Sequence, residues 1–304
     1  MPKNSTGIFL GNSLCHGGRK DVTSAANASI VITCSMSIQK TKIAKPADTI
    51  DDILAKLSAI IADSERTDSR VGYFAALYYK VTASVKEGIA WGRFANGQRM
   101  ERLDVIFASR YLDAFAAWRA GKPLTESWRL AFDATKQSNL LVLQHLLLGM
   151  SAHINLDLGI AAVEVADGNL ENLHNDVDEI NTIISALTYQ VLNDIDRVSP
   201  LLSLLGLHAG DNTSILIQFS IDNARDGAWC FAEDLVNKKG ADYDTCITER
   251  DRTICQLGSG LIKTSGFLRF TIWLIHLFEW KNPAKVIKLL DEGTKAKIVV
   301  NAVN

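Results

Sequence analysis

At 304 residues, with 47% hydrophobic and 22% charged positions, the chain is long enough to bury a substantial core and has an ordinary globular balance. Its 32 basic and 34 acidic residues leave a net charge of −2, which supplies no overall field for nucleic acid or lipid, so neither a nucleic-acid partner nor a membrane is expected. The cysteines (Cys15, Cys34, Cys230, Cys246 and Cys255) are odd in number and lack CxxC spacing. That argues against a disulfide scaffold or a zinc ribbon and fits reduced thiols in a cytoplasmic protein.

Residues 1–44 are rich in Ser, Asn, Gly and Thr without a sustained period, the signature of a disordered or loosely attached arm. Met36 opens a stretch that reads as a natural beginning. The residues before it carry a single acid, Asp21, and many hydroxyls, which also fits an organelle transit segment. Residues 45–304 are expected to form one all-helical domain.

The first helix is predicted from Thr49, a capping residue, to Asp63, with Ile50, Ile53, Leu54, Leu57, Ile60 and Ile61 as its stripe. A second runs from Val71 to Trp91 and a third from Gln98 to Ala120. On a helical wheel the third gathers Met100, Phe107, Tyr111, Phe115 and Trp118 on one face, with Asp104 in its middle. Arg102, Arg110 and Asp113 fall away from that face, where solvent or edge pairing is expected. A carboxylate centred on an aromatic stripe either finds a buried partner or does chemistry. Gly121 and Pro123 break the chain, and Thr125 or Ser127 is expected to start a short helix carrying Trp128, Leu130, Ala131 and Phe132.

The segment from Asn139 to Val165 is apolar nearly all the way round, as befits a helix buried on every side. It is expected to be the centre of a bundle of about eight to ten helices. Beyond it, helices are predicted over Leu170–Val198, Thr213–Asn237, Glu249–Thr264, Gly266–Trp280 and Pro283–Asp291. The stretch 201–212 is expected to form a short apolar hairpin or helical turn, and 238–248 a loop. The apolar run from Leu261 to Trp280 is interrupted by Lys263, Arg269, His276 and Glu279, so a buried helix is expected rather than a membrane span. Trp118, Trp128, Trp273 and Trp280 are expected in the core or lining a pocket. No segment alternates with period two, no fixed repeat occurs, and GxGxxG, Walker A and GxSxG patterns are absent.

Polar groups inside the central helix need partners. His153 and Asp157 are four residues apart and share a face, so an imidazole and a carboxylate can reach one divalent ion, zinc or iron. Asp104 is the expected third member. His145 lies about 12 Å along the axis from His153, which suits a neighbouring group or a second site rather than a shared ion. Arg225, near an apolar seam, is a candidate to steady an anionic group. Asn155 points away from His153, toward a neighbouring helix end. The same groups would also serve as a purely structural polar core, with Arg225 neutralising Asp104 or Asp157.

YFAALYYKVTASVKEGI, RMERLDVIFASRYLDAF and above all LQHLLLGMSAHINLDLGIAA resemble blocks of a family of mostly bacterial, helical proteins classed as a domain of unknown function, over residues 72–290. That resemblance implies a fold-level unit and a shared polar site, with no activity attached. LGMSAHINLD alone is similar to the LG-x3-H-x3-D helix of zinc-dependent phospholipase C and single-strand nuclease proteins, which implies that His153 and Asp157 are metal ligands. The Pro-x-His that follows in that family is missing here, as is an N-terminal Trp, so the likeness implies one metal rather than a trinuclear cluster.

The functional expectation is an enzyme acting on a small, largely apolar substrate. His153, Asp157 and Asp104 hold a divalent metal, Asp104 or His145 is the general base, and Arg225 binds an anion. The alternative is a non-catalytic helical protein whose polar core fixes helix register, with or without a hydrophobic ligand.

Overall fold

The computed structural model describes residues 49–166, 168–208 and 221–292. The N-terminal arm expected for 1–44 lies outside them, as do Cys15, Cys34, the expected helix start at 213–220 and the side chains of His174 and His208. Among the described residues every regular element is helical, giving the all-α fold expected from the periodicity.

Helix α1 spans Ile50–Arg66 and begins with a reciprocal cap. The Thr49 hydroxyl accepts from Asp52 N–H and the Asp52 carboxylate accepts from Thr49 N–H, each at 3.2 Å. Helix α2 (Val71–Ala90) and helix α3 (Gly97–Arg119) follow, the latter capped by the Asn96 side chain on Arg99 N–H at 3.0 Å. Helix α4 covers Glu126–Ala134 and starts, as expected, from Thr125 at the N-cap position, but the Thr125 side chain makes no capping bond. Asp251, far along the chain, accepts from Glu126 N–H (2.6 Å), Ser127 N–H (3.0 Å) and the Ser127 hydroxyl (2.5 Å).

The predicted central helix is present but interrupted. Helix α5 (Val142–Ala152) passes into a π turn, His153–Leu158, and resumes as helix α6 (Gly159–Ala166). A π turn fits one extra residue into the helix and leaves carbonyls without their regular partners. One of these, Asn155 C=O, accepts from Arg250 Nε at 3.0 Å, while the Asn155 side chain turns back to Ser151 rather than to a neighbouring helix end. The start of α5 is held by Glu279, whose carboxylate accepts from Val142 N–H (3.1 Å) and from the Ser199 hydroxyl. Val142–Ala166 is long and apolar enough to cross a membrane, yet most of it is buried within the protein.

Leu170–Leu173 forms a 3₁₀ turn leading into helix α7 (His174–Val198), and Leu202–His208 forms another. Helix α8 (Ile221–Leu235) precedes helix α9, which runs from Ala241 to Ile262. The loop expected over 238–248 is therefore mostly helix. Gly240 turns the chain at φ +57° and Asp242 and Asp244 favour the first turn of α9, so a polar stretch that resembles a loop is a helix start. Helix α10 (Gly266–Phe278) and helix α11 (Pro283–Glu292) complete the described chain.

Helix α5 packs on α2, α4 and α9, the π turn on α3, α8 and α9, and α6 on α3 and α8. Two glycines permit these approaches. A Cβ at Gly149 would stand 2.6 Å from the Phe74 ring, and one at Gly159 would stand 2.6 Å from Phe231 and 2.9 Å from the Ala228 carbonyl oxygen. A buried ion pair, Lys80 with Asp194 at 3.1 Å, ties α2 to α7. Leu192 on α7 is exposed.

Candidate functional site

The π turn places His153 and Asp157 in direct contact. His153 Nδ1 lies 3.1 Å from Asp157 Oδ2, with the two residues 2% and 1% exposed. Asp157 Oδ2 also accepts from Trp128 Nε1 and Asp157 Oδ1 from Arg110 Nε, both at 2.8 Å. Both oxygens are thus engaged, by donors from α3, α4 and the π turn. Burial alone would raise the Asp157 carboxyl. The Arg110 guanidinium and the bonds from His153 and Trp128 outweigh it and hold the group below its ordinary range.

An ionised Asp157 requires a proton on His153 Nδ1, which fixes the tautomer. Burial lowers the His153 pKa despite the adjoining carboxylate, so the ring is neutral at pH 7 and Nε2 carries a free lone pair. Nε2 is buried and has no hydrogen-bond partner among the described residues. The ring is enclosed by aromatic side chains. Phe107 stacks on it at 3.6 Å, Tyr78 meets it edge-on at 4.5 Å, and Phe74, Trp128 and Tyr111 stand 5.8, 5.8 and 6.3 Å away.

Asp104 is buried on the aromatic face of α3, as its position on the wheel implied. It does not join the dyad. Asp104 Oδ2 has no partner among the described residues, and burial pushes the carboxyl up to about 8, with Glu101 adding to the shift. At pH 7 it is a neutral acid. The Tyr78 hydroxyl is raised by burial first and then by Asp104 and Asp157, which makes this phenol the common neighbour of the two carboxylates.

No group of three His, Cys, Asp or Glu side chains suited to a metal ion occurs among the described residues. The expected ligand set of Asp104, His153 and Asp157 is therefore not assembled. The physical reason is that His153 and Asp157 spend their facing atoms on each other, while Arg110 and Trp128 engage both oxygens of Asp157, and Asp104 is not brought to them. The guanidinium that neutralises Asp157 belongs to Arg110, which the wheel had put at the edge. Arg225 is buried on α8 and is not among the partners of Asp157.

His145 stands apart from the dyad. It lines a cavity of about 20 Å³, room for one water, together with Arg70, Phe74, Tyr111, Trp128 and Gly149. Phe74, Tyr111 and Trp128 thus form a wall with His145 on one side and His153 on the other. Burial, helped by Arg70, brings the His145 pKa down to about 4 against the opposing effect of the nearby Gln137 backbone, and neither ring nitrogen has a partner in full hydrogen-bond geometry among the described residues. Arg110 and Trp128 are the participants that sequence reasoning missed. The indole of Trp128 offered a signal, since a buried N–H requires an acceptor.

The chain belongs to a family of unknown function, DUF5995, whose model matches residues 50–264 and so spans the whole site. No curated protein and no solved structure matches the chain.

Proposed function

We propose that the protein is an enzyme that admits a small, largely apolar molecule to the aromatic cage and uses His153 Nε2 as its proton acceptor. The observation that carries this reading is the bare Nε2 of a dyad whose other polar atoms are all bonded. Asp157 holds the ring in the Nδ1–H tautomer and stabilises the imidazolium that forms when Nε2 takes a proton. Arg110 keeps Asp157 ionised. Asp104, neutral at pH 7, and the Tyr78 hydroxyl are the donors available for a polar group of the substrate, and the cage rings accept its apolar part. Phe74 lines the small cavity beside His145 and also contacts the His153 ring, so its displacement would open a path from that cavity to Nε2. The reading needs no metal, and Arg225 has no role in it.

A second reading has its own support. Both Asp157 oxygens are bonded and the cage is filled by side chains, as they would be if the network only fixed the register of α3, α4 and the π turn.

Imidazole NMR of the full chain, titrated with phenol, benzyl alcohol and indole, separates the two. The enzyme reading expects at least one of these probes to shift the His153 resonances and raise the melting temperature. His153→Gln, whose amide still donates to Asp157, should abolish the rise in melting temperature. If none of the probes moves His153 and His153→Gln only lowers the melting temperature, the register reading replaces it.

A further inference from the structure

The sequence predicts Gly266–Trp280 as a buried helix, but α10 is apolar on two faces and, among the described residues, only one of them is covered. Leu268, Thr271, Ile272 and Ile275 face inward. Phe270 is 53% exposed and Trp273 56%, and Leu277, Phe278 and Trp280 continue the exposed surface. Phe270 and Trp273 touch, with ring centroids 5.7 Å apart, so the patch is contiguous. Trp273 and Trp280 thus lie outside the core that the sequence suggested for them. A cluster of large exposed aromatics of this kind marks a docking surface.

Along the chain, the exposed charges that flank the patch have one sign up to Leu290, and Asp291 and the exposed Glu292 follow at the end of α11. From Lys263 to Leu290 the exposed charged side chains are Lys263, Arg269, Lys281, Lys285 and Lys288. The single acid in this stretch, Glu279, is buried on Val142 N–H and the Ser199 hydroxyl. At 13 residues α10 is ~20 Å long, short of the ~30 Å hydrocarbon thickness, so it is suited to lying on a bilayer rather than crossing one.

We propose that α10 and the turn after it dock in the plane of an anionic lipid surface. Phe270, Trp273, Leu277 and Phe278 enter the headgroup–acyl boundary, and Arg269 and the lysines meet the lipid phosphates and carboxylates. The charge pattern selects this occupant. A second copy packed through the same face would set its cationic rim against an identical rim. A protein partner is a poorer match because interfaces between proteins are depleted in lysine, whereas interfacial helices combine Trp, Phe and Leu with Lys and Arg. The net charge of −2 describes the whole chain and does not show this local field.

The test is co-sedimentation of the full chain with vesicles of phosphatidylcholine alone and of phosphatidylcholine mixed with phosphatidylserine. The protein should pellet with the anionic vesicles, weakly or not at all with the neutral ones, and less as salt is raised, with a blue shift of tryptophan emission. The double variant Phe270→Ser, Trp273→Ser alters exposed side chains only. It should keep the wild-type melting temperature and lose vesicle binding at least tenfold. The proposal is overturned if the wild type stays in the supernatant with anionic vesicles, or if the double variant pellets as well as the wild type. It is also overturned if the substitutions instead convert a dimer to a monomer in sedimentation velocity.

Discussion

Helix α5 with its π turn and helix α10 are both strongly apolar, yet the protein treats them in opposite ways. The first is surrounded by α2, α3, α4, α8 and α9, and keeps an imidazole and a carboxylate in the interior. The second packs mainly on the 3₁₀ turn at Leu202–His208 and leaves its aromatics outside. Apolar composition says that a segment wants cover, but its neighbours decide how much it receives. Both segments break the usual partition of polar and apolar groups, and each break is informative for that reason.

The sharpest way to test the contrast is to remove the centre of the buried network. Asp157→Ala strands Arg110, Trp128 Nε1 and His153 Nδ1 without an acceptor, and unfolding in urea should show a loss of about 3–5 kcal/mol. A loss under about 1 kcal/mol would mean that the network is not held as described. Next in size is Gly149→Ala, whose Cβ would meet the Phe74 ring at 2.6 Å. Urea unfolding should show a cost of about 1–3 kcal/mol, and aromatic NMR a displaced Phe74.

The pH dependence isolates Asp104. Its carboxyl stands at about 8 in the folded chain against an ordinary 3.8, so between those values the folded state binds the extra proton and stability falls as pH rises. His145, lowered to about 4, and His153, also lowered, act in the other direction. Below their ordinary pKa of 6.5 the unfolded chain binds more protons, so their contribution to stability grows with pH up to that point. The histidine contribution, His276 included, fades over about one pH unit above 6.5, and Asp104 is then the group of this set that remains. Between pH 6.5 and 8 the wild type should lose stability more steeply than Asp104→Asn, by at most ~1.4 kcal/mol per pH unit. Equal slopes in denaturant titrations would remove Asp104 from the set of buried neutral acids. The smallest expected effect is on the exposed side: Trp273→Ser should change stability by no more than about 0.5 kcal/mol, since its ring is mostly in water. A larger loss would show that α10 is covered in solution.

Much of this arrangement was legible in the amino-acid pattern. The Thr49 cap, the stripes of α1 to α3, the burial of the central helix and the pairing of His153 with Asp157 all follow from local periodicity, as does the place of Asp104 on the aromatic face. What was not legible depends on partners distant in the chain. Arg110 lies off the aromatic face on a wheel, but its long side chain reaches around the helix to Asp157, and a wheel locates Cβ atoms rather than guanidinium groups. Asp251 caps α4 across more than a hundred positions, and nothing near Ser127 announces it. The π turn adds a residue at His153–Leu158, where polar and apolar residues alternate and no Gly or Pro announces a change of helix type. The exposed face of α10 was hidden because an all-round apolar helix reads as buried whether or not the fold provides a second wall.

The central claim is that the His153 ring is held neutral, with its proton on Nδ1 and Nε2 bare. A ¹⁵N NMR titration of the histidine side chains, with His153 assigned through His153→Gln, tests it directly. The account predicts an Nδ1–H tautomer whose signals stay unchanged as the pH falls from 7.5 through the ordinary histidine pKa of 6.5, the direction that burial imposes. A ring that titrates near 6.5, or that carries its proton on Nε2 at neutral pH, would contradict it.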